Sequence, residues 1–227
     1  MTQPATDPFA ALASGRRSVR AYLAQPVPLT LLQQLVRTAR QAPSGANLQP
    51  GSLIAVQGEV RASLSADLIA AFKGGQQEQE DYAYFPQPLP SLLRRRQVAA
   101  ARALYGALGI GREDRCARDG QFERNFCFFD APVALVVTIP RDFGSGGYMD
   151  LGMALYGLML AAQSQGLSTC AIGALASYPR LVRRHLGLDE DSAIVCGMAL
   201  GYADPDAPVN QTVTTRCELD EFFRVLG

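Results

Sequence analysis

The chain has 227 residues, 48% of them hydrophobic, and its 21 Lys and Arg balance 21 Asp and Glu at a formal net charge of +0. A chain of this size buries roughly 70% of its unfolded surface, so it needs no disulfide or metal staple. The zero balance argues against a nucleic-acid binder that works by charge alone.

In chain order, Phe9 to Ser14 read as a short helix leading into "GRRSVR". The next segment, "PVPLTLLQQLVRTAR", places Leu31, Leu32, Leu35, Val36 and Ala39 on one helical stripe, and Thr30 with Gln33 fits a capping box. This helix ends at Arg40 and gives way to the loop "APSGANLQP". Ser52 to Val56 reads as a strand and Glu59 to Ala71 as a helix. Lys73 to Pro90 mixes charge, glycine, aromatics and prolines, which marks a long loop of the kind that is often functional. A helix is expected over Ser91 to Leu108 and a buried strand over Ala131 to Pro140. Asp150 is placed to cap a buried helix running to about Gln165, with Gly166 as its left-handed stop. "STCAIGAL" reads as a short strand, "PRLVRRHLG" as a helix, "SAIVCGMALGYAD" as a strand and "LDEFFRVLG" as a closing short helix. No repeat or linker interrupts the pattern. The expectation is one mixed α+β domain over residues 1–227, its strands too scattered for a doubly wound series.

The five cysteines, Cys116, Cys127, Cys170, Cys196 and Cys217, form no C-x-x-C pair, and an odd count indicates a reducing compartment rather than a disulfide framework or structural zinc. His185 is the only histidine, which weighs against zinc hydrolases and serine or cysteine triads. Its setting, "LVRRHLGL", suits a cation in the last turn of a helix. "MTQPATDPFAALASG" lacks the basic-then-apolar pattern of a signal peptide, and "LGMALYGLMLAAQ" is too short to cross a bilayer. A cytoplasmic protein with no membrane partner is expected. No G-x-G-x-x-G follows a strand and neither a P-loop nor a G-x-S-x-G elbow occurs, so a phosphate ligand must be held mainly by side-chain cations.

Two clusters remain. Arg16, Arg17, Ser18 and Arg20 form a compact run in which residues 16, 18 and 20 share one face if the backbone is extended. Arginine forks match phosphate oxygens, but the run alone fits an exposed basic patch equally well. The loop gathers Pro43, Ser44, Gly45, Asn47 and Gln49: short hydrogen-bonding groups, a glycine that permits close approach, and prolines that leave less to order on binding. Alone it fits a helix-exit loop bonding its own backbone as well as a ligand contact.

Together, "RRSVRAY", "PVPLTLLQQLVRTARQAPSGANLQP", "DLGMALYGLMLAAQSQGLSTCAIG" and "CGMALGYADPDAPVNQTVTTRCELDEF" resemble the nitroreductase family of FMN-dependent oxidoreductases in order and spacing. The resemblance implies a nitroreductase-like fold, a central and mostly antiparallel sheet flanked by helices, in an intertwined homodimer with two FMN sites at the interface. It implies that Pro43, Ser44, Gly45, Asn47 and Gln49 reach the FMN of the neighbouring subunit. Arg16, Ser18 and Arg216 match phosphate-holding positions with Arg17 adjacent, and Arg20 matches a basic position beside the pyrimidine edge of the ring. A cation there stabilises reduced flavin. Backbone N–H groups near Gly173 and Ala174 match the strand passing the flavin ring. The implied activity is NADPH- or NADH-driven reduction of a small electron-poor acceptor, a nitroaromatic or quinone, with no side chain assigned as acid or base. Flavin destruction, dehalogenation, azoline oxidation and simple flavin binding are the other activities the fold allows. Tyr82, Tyr84 and Phe85 are candidates to roof a substrate cavity, with Tyr148 beside them, and Met153, Tyr156 and Met159 for core and interface contacts. Two positions depart from the family: Gly51 where a Trp often follows "QP", and Thr214 where some members carry lysine, one phosphate cation fewer.

Overall fold

Two apolar runs, at Val133–Pro140 and Ser192–Gly201, become the two central strands of one sheet. The computed structural model describes residues 7–227. In it, β1 (Ser52–Val56), β2 (Val133–Pro140), β3 (Ser168–Ile172) and β4 (Ser192–Gly201) lie in the order β1–β2–β4–β3, and every neighbouring pair is antiparallel. A strand covered on both faces must be apolar throughout, and every residue of β2 except Pro140 is buried.

The helices are α1 (Pro8–Gly15), α2 (Leu29–Ala39), α3 (Gly58–Lys73), α4 (Ser91–Ala107), α5 (Arg115–Glu123), α6 (Ser145–Ser164), α7 (Pro179–Leu186) and α8 (Leu219–Phe222). Strand alternation sorts the core into layers. Val133, Leu135, Met198 and Leu200 meet Leu32 and Leu35 of α2 and Leu158 and Ala161 of α6. Ala134, Val136, Ile194 and Ala199 belong to the opposite layer, with Leu64 and Leu68 of α3, Leu181 and Val182 of α7, Phe126 and Phe128. A bulge between Val137 and Thr138 shifts the β2–β4 register, and Val137 and Ile139 join a third cluster with Leu151 of α6.

Most expected elements stand within a few residues of their expected bounds, and Gly166 adopts the left-handed conformation at φ +71°. Four expectations need correction. The Thr30–Gln33 capping box does not form: Pro28, at φ −59° and ψ 138°, occupies the cap position, so Thr30 already lies inside the first turn. Asp150 does not cap α6, which starts five residues earlier behind Gly144. Gly147 lies in the first turn of α6, where a Cβ would sit 2.5 Å from the Phe143 ring, so only glycine fits there. Helix α5 was not anticipated. The closing helix covers only Leu219–Phe222. The reading of the N-terminus as leaderless lies, for residues 1–6, outside the described residues.

Helix α6 is buried on one side only. Met149 (66%), Met153 (37%) and Tyr156 (43%) remain exposed in the single chain. No helix of the described residues is long and apolar enough to cross a membrane. Leu158 is fully buried between α2 and the sheet. Leu158→Ala should cost about 2–5 kcal/mol of unfolding free energy in a denaturant titration, as a cavity in a packed core does. A cost under about 0.5 kcal/mol would show that this layer is not tightly packed.

Candidate functional site

Residues from opposite ends of the chain meet beside β3. Ser18 forms a parallel bridge with Thr169, and the Val19 N–H donates to the Thr169 carbonyl at 3.1 Å. Asn210 closes the junction: its Oδ1 accepts from the Arg20 N–H at 2.8 Å, and its Nδ2 donates to the carbonyls of Ala21 at 2.9 Å and Asp204 at 2.8 Å. The segment is therefore extended. Arg16, Ser18 and Arg20 are half-buried, whereas Arg17 is exposed and Val19 is core.

This junction creates a cavity of about 410 Å³ lined by Arg16, Arg17, Ser18, Arg20, Thr212, Thr214 and Arg216, among others. Among the described residues none of these arginines makes an ion pair with a carboxylate. Arg216 donates to the Thr214 hydroxyl at 3.1 Å and to the Thr215 carbonyl at 3.2 Å. Thr214 thus orients a cation rather than supplying one. Arg20 Nη1 donates to the Ser18 carbonyl at 3.2 Å. Below the cavity, burial pushes the Cys170 thiol pKa up while Arg20 and Arg16 pull it down. Four unpaired guanidinium groups and hydroxyls around one cavity fit a phosphate dianion.

The loop after α2 lines a second cavity of about 400 Å³ through Pro43, Ser44 and Gln49, together with Asp150 and Leu151 of α6. Ala46, Asn47 and Gln49 all have positive φ, 49°, 57° and 50°. Such conformations cost of order 1–3 kcal/mol each and persist where surroundings enforce them. Two bonds enforce this one: Gly45 N–H donates to Asp150 Oδ2 at 2.9 Å, and Gln49 N–H donates to Ser44 Oγ at 2.9 Å. The Ser44 oxygen therefore bonds its own loop. Gly45, Asn47 and Leu48 lie exposed at the tip. Gly51 has φ +98°, and a Cβ there would lie 2.7 Å from Leu151 Cδ1, so this backbone has no room for the Trp common in the family.

Gly173 and Ala174 open the 3₁₀ turn Gly173–Ser177 at the end of β3. They line a third cavity, about 820 Å³, with Tyr82, Tyr84, Phe85 and Phe122. Tyr84 lies directly on Gly173: a Cβ there would sit 2.9 Å from its ring. Ring centroids run from Tyr148 to Tyr82 at 5.0 Å, Tyr82 to Tyr84 at 5.9 Å and Tyr84 to Phe85 at 4.7 Å. The Tyr82 hydroxyl donates to the Val195 carbonyl at 2.7 Å, and burial raises its pKa, so the donor stays protonated.

The twelve candidate residues are thus not one cluster in a single chain. Arg16, Arg17, Ser18, Arg20 and Arg216 are brought together. Gly173 and Ala174 lie at the far end of β3. Pro43, Ser44, Gly45, Asn47 and Gln49 form a separate projection.

The aromatic segment is held by carboxylates whose part the sequence did not reveal. Glu78 Oε2 accepts from the Arg180 N–H at 2.7 Å, at the start of α7, where an anion meets unpaired backbone donors. Glu80 accepts from the Ser177 hydroxyl at 2.8 Å. Asp81, its side chain 3% exposed, pairs with Arg183 at 2.6 Å and Arg141 at 2.9 Å, and accepts from the Ile194 N–H at 2.8 Å. His185 takes its expected place in the last turn of α7 and also meets Asp67 of α3 at 2.7 Å.

The edge strand β3 thus has an arginine-lined cavity at one end and an aromatic cavity at the other. The chain belongs to the nitroreductase family: the family model matches residues 13–202. It is 37% identical over 222 residues to a 4-nitrobenzoate reductase of Pseudomonas putida, spanning 98% of this chain and 97% of that one. It is 36% identical over 219 residues to a chloronitrobenzene nitroreductase of Comamonas testosteroni, spanning 96% of each. The crystal structure of the FMN and NADPH-dependent nitroreductase NfnB from Sphigopyxis sp. strain HMH superposes with a TM-score of 0.93 at 36% identity, over 97% of this chain and 100% of that chain.

Asp81→Ala should destabilise the protein by about 3–5 kcal/mol, since it leaves the buried Arg183 guanidinium with only the exposed Glu190, 3.5 Å from its Nε, as counter-charge. Chemical unfolding measures this, and an unchanged midpoint would remove Asp81 as the anchor of the aromatic segment.

Proposed function

We propose that the chain is a single-domain, homodimeric flavoenzyme of the cytoplasm that oxidises NADPH or NADH and reduces nitroaromatics or similar electron-poor acceptors. One observation carries the reading: Arg16, Arg17, Ser18 and Arg20 share one cavity with Arg216, nearly two hundred residues later, and among the described residues no carboxylate pairs with these arginines. The relatives support the activity, because nitroaromatic reduction, FMN and NADPH appear in their names.

In this reading Arg16, Ser18 and Arg216 hold the FMN phosphate, with Arg17 at the rim. Arg20 lies further in, toward the pyrimidine edge. From Thr169 to Gly173 strand rise spans about 13 Å, so β3 separates the phosphate grip from Gly173 and Ala174 by roughly the length of a mononucleotide. Bound FMN supplies the hydride-accepting and hydride-donating centre, which this chain has no side chain to replace. The chain's own contribution is charge, orientation and exclusion of water. Arg20 favours the reduced, more anionic state. Tyr82, Tyr84 and Phe85 offer flat apolar faces to an aromatic acceptor.

Homodimerisation accounts for what one chain leaves bare. Met149, Met153 and Tyr156 on α6, Leu48 at the loop tip, and Phe222, Phe223, Val225 and Leu226 in the tail are all exposed. Monomeric proteins seldom expose so much apolar surface. Pro43, Ser44, Gly45, Asn47 and Gln49 on the projecting loop are the residues available to the FMN of a second copy.

Purified protein should be yellow, release FMN on denaturation, bleach anaerobically with NADPH or NADH, and recover its colour with nitrobenzene. Arg16→Ala and Arg216→Ala should each weaken FMN binding by about 1.5–3 kcal/mol in a flavin titration. Wild-type FMN affinity in both variants would remove the cavity from the phosphate role. Sedimentation should give twice the 24.4 kDa chain mass; a monomer that retains FMN would separate the loop from the site.

A further inference from the structure

A second arginine cavity lies on the helical excursion between β1 and β2. It measures about 510 Å³ and is lined by Arg102 and Tyr105 of α4, Arg112 of the following turn and Arg118 of α5, with Val98 and Ile110 among its apolar walls. Its three guanidinium groups are free of carboxylates among the described residues. Asp114 turns away to accept from the Ala117 N–H at 2.9 Å. Arg118 is fixed by stacking 5.0 Å over the Tyr105 ring and by donating from Nη1 to the Arg112 carbonyl at 3.0 Å. Its Nε is buried with no hydrogen-bond partner. A buried donor without a protein partner is one that a water or a ligand oxygen has still to satisfy.

Helix α5 ties this cavity to the aromatic one. Arg118 and Phe122 are four residues apart, so they share a helix face about 6 Å apart along its axis. Phe122 lines the aromatic cavity above Gly173, and Arg118 lines the arginine cavity. A ligand with a flat ring at one end and phosphate further along would engage both.

We propose that Arg102, Arg112 and Arg118 form the subsite for the phosphate-bearing portion of the nicotinamide dinucleotide, which makes this cavity the determinant of donor affinity. The inference rests on the function proposed above. Guanidinium forks suit phosphate oxygens, and the apolar walls suit the adjoining adenosine.

The test uses FMN-loaded protein, wild type and the variants Arg102→Ala, Arg112→Ala and Arg118→Gln. The first two residues are exposed, so those variants keep the core intact. Two readouts are taken: KM and kcat with NADPH and with NADH, and calorimetric binding of adenosine 2′,5′-bisphosphate. Each variant is expected to raise KM about tenfold, the loss of one charge-assisted hydrogen bond, by more than it lowers kcat. A rise confined to NADPH, with lost bisphosphate binding, assigns the 2′-phosphate; an equal rise with NADH assigns the pyrophosphate. Unmoved KM for both donors and unmoved bisphosphate affinity in all three variants overturn the subsite while flavin bleaching stays intact. Failure of either nucleotide to bleach bound flavin in the wild type overturns both the subsite and the proposed function.

Discussion

The side-chain amide of Asn210 is the contact on which the site depends. With one acceptor and two donors it joins Arg20 and Ala21 to Asp204, so the N-terminal arginine segment and the C-terminal turn become one surface. Without that junction Arg16 and Arg216 are distant in sequence and nothing local brings them together. The backbone bridge of Ser18 with Thr169 then fixes the segment against β3. The charges are costly to crowd, since four like-charged groups repel at short range. The junction's hydrogen bonds hold them close.

The same logic governs the loop. Asp150 is a buried carboxylate inside a helix, and the Gly45 N–H meets it across 105 positions of sequence. That bond holds the projecting loop in a backbone conformation that three of its residues would not adopt freely. A preset loop loses less entropy when it meets a ligand or a second subunit. The long segment after α3 is treated alike: Glu78, Glu80 and Asp81 fasten it at three points, and the aromatic residues that follow are thereby placed over Gly173.

Local pattern made much of this legible. β1, α2 and the apolar strands announce themselves by period and composition, and Gly166 by the left-handed turn it must make. The alternation of Arg16, Ser18 and Arg20 was readable because β periodicity needs no tertiary information. What escaped was set by distant partners. Asp150 looks like a helix cap until its acceptor role toward Gly45 is seen. Helix α5 has no buried residue and an interior glycine, so its sequence carries little helical signal. Asn210 stood within a recognised segment, yet a lone asparagine before a turn gives no hint of a link across 190 residues.

The chain contains eight tyrosines and no tryptophan. Its ultraviolet emission is therefore that of phenol rings alone, with no indole to collect and mask their excitation. Tyr82, Tyr84 and Tyr148 form one cluster of tilted rings, and Tyr84 rests on the backbone of Gly173. Any molecule that settles against Gly173 must shift or cover that ring. Three of the eight phenol rings therefore sit where such a molecule would change their surroundings, and no indole signal covers that change.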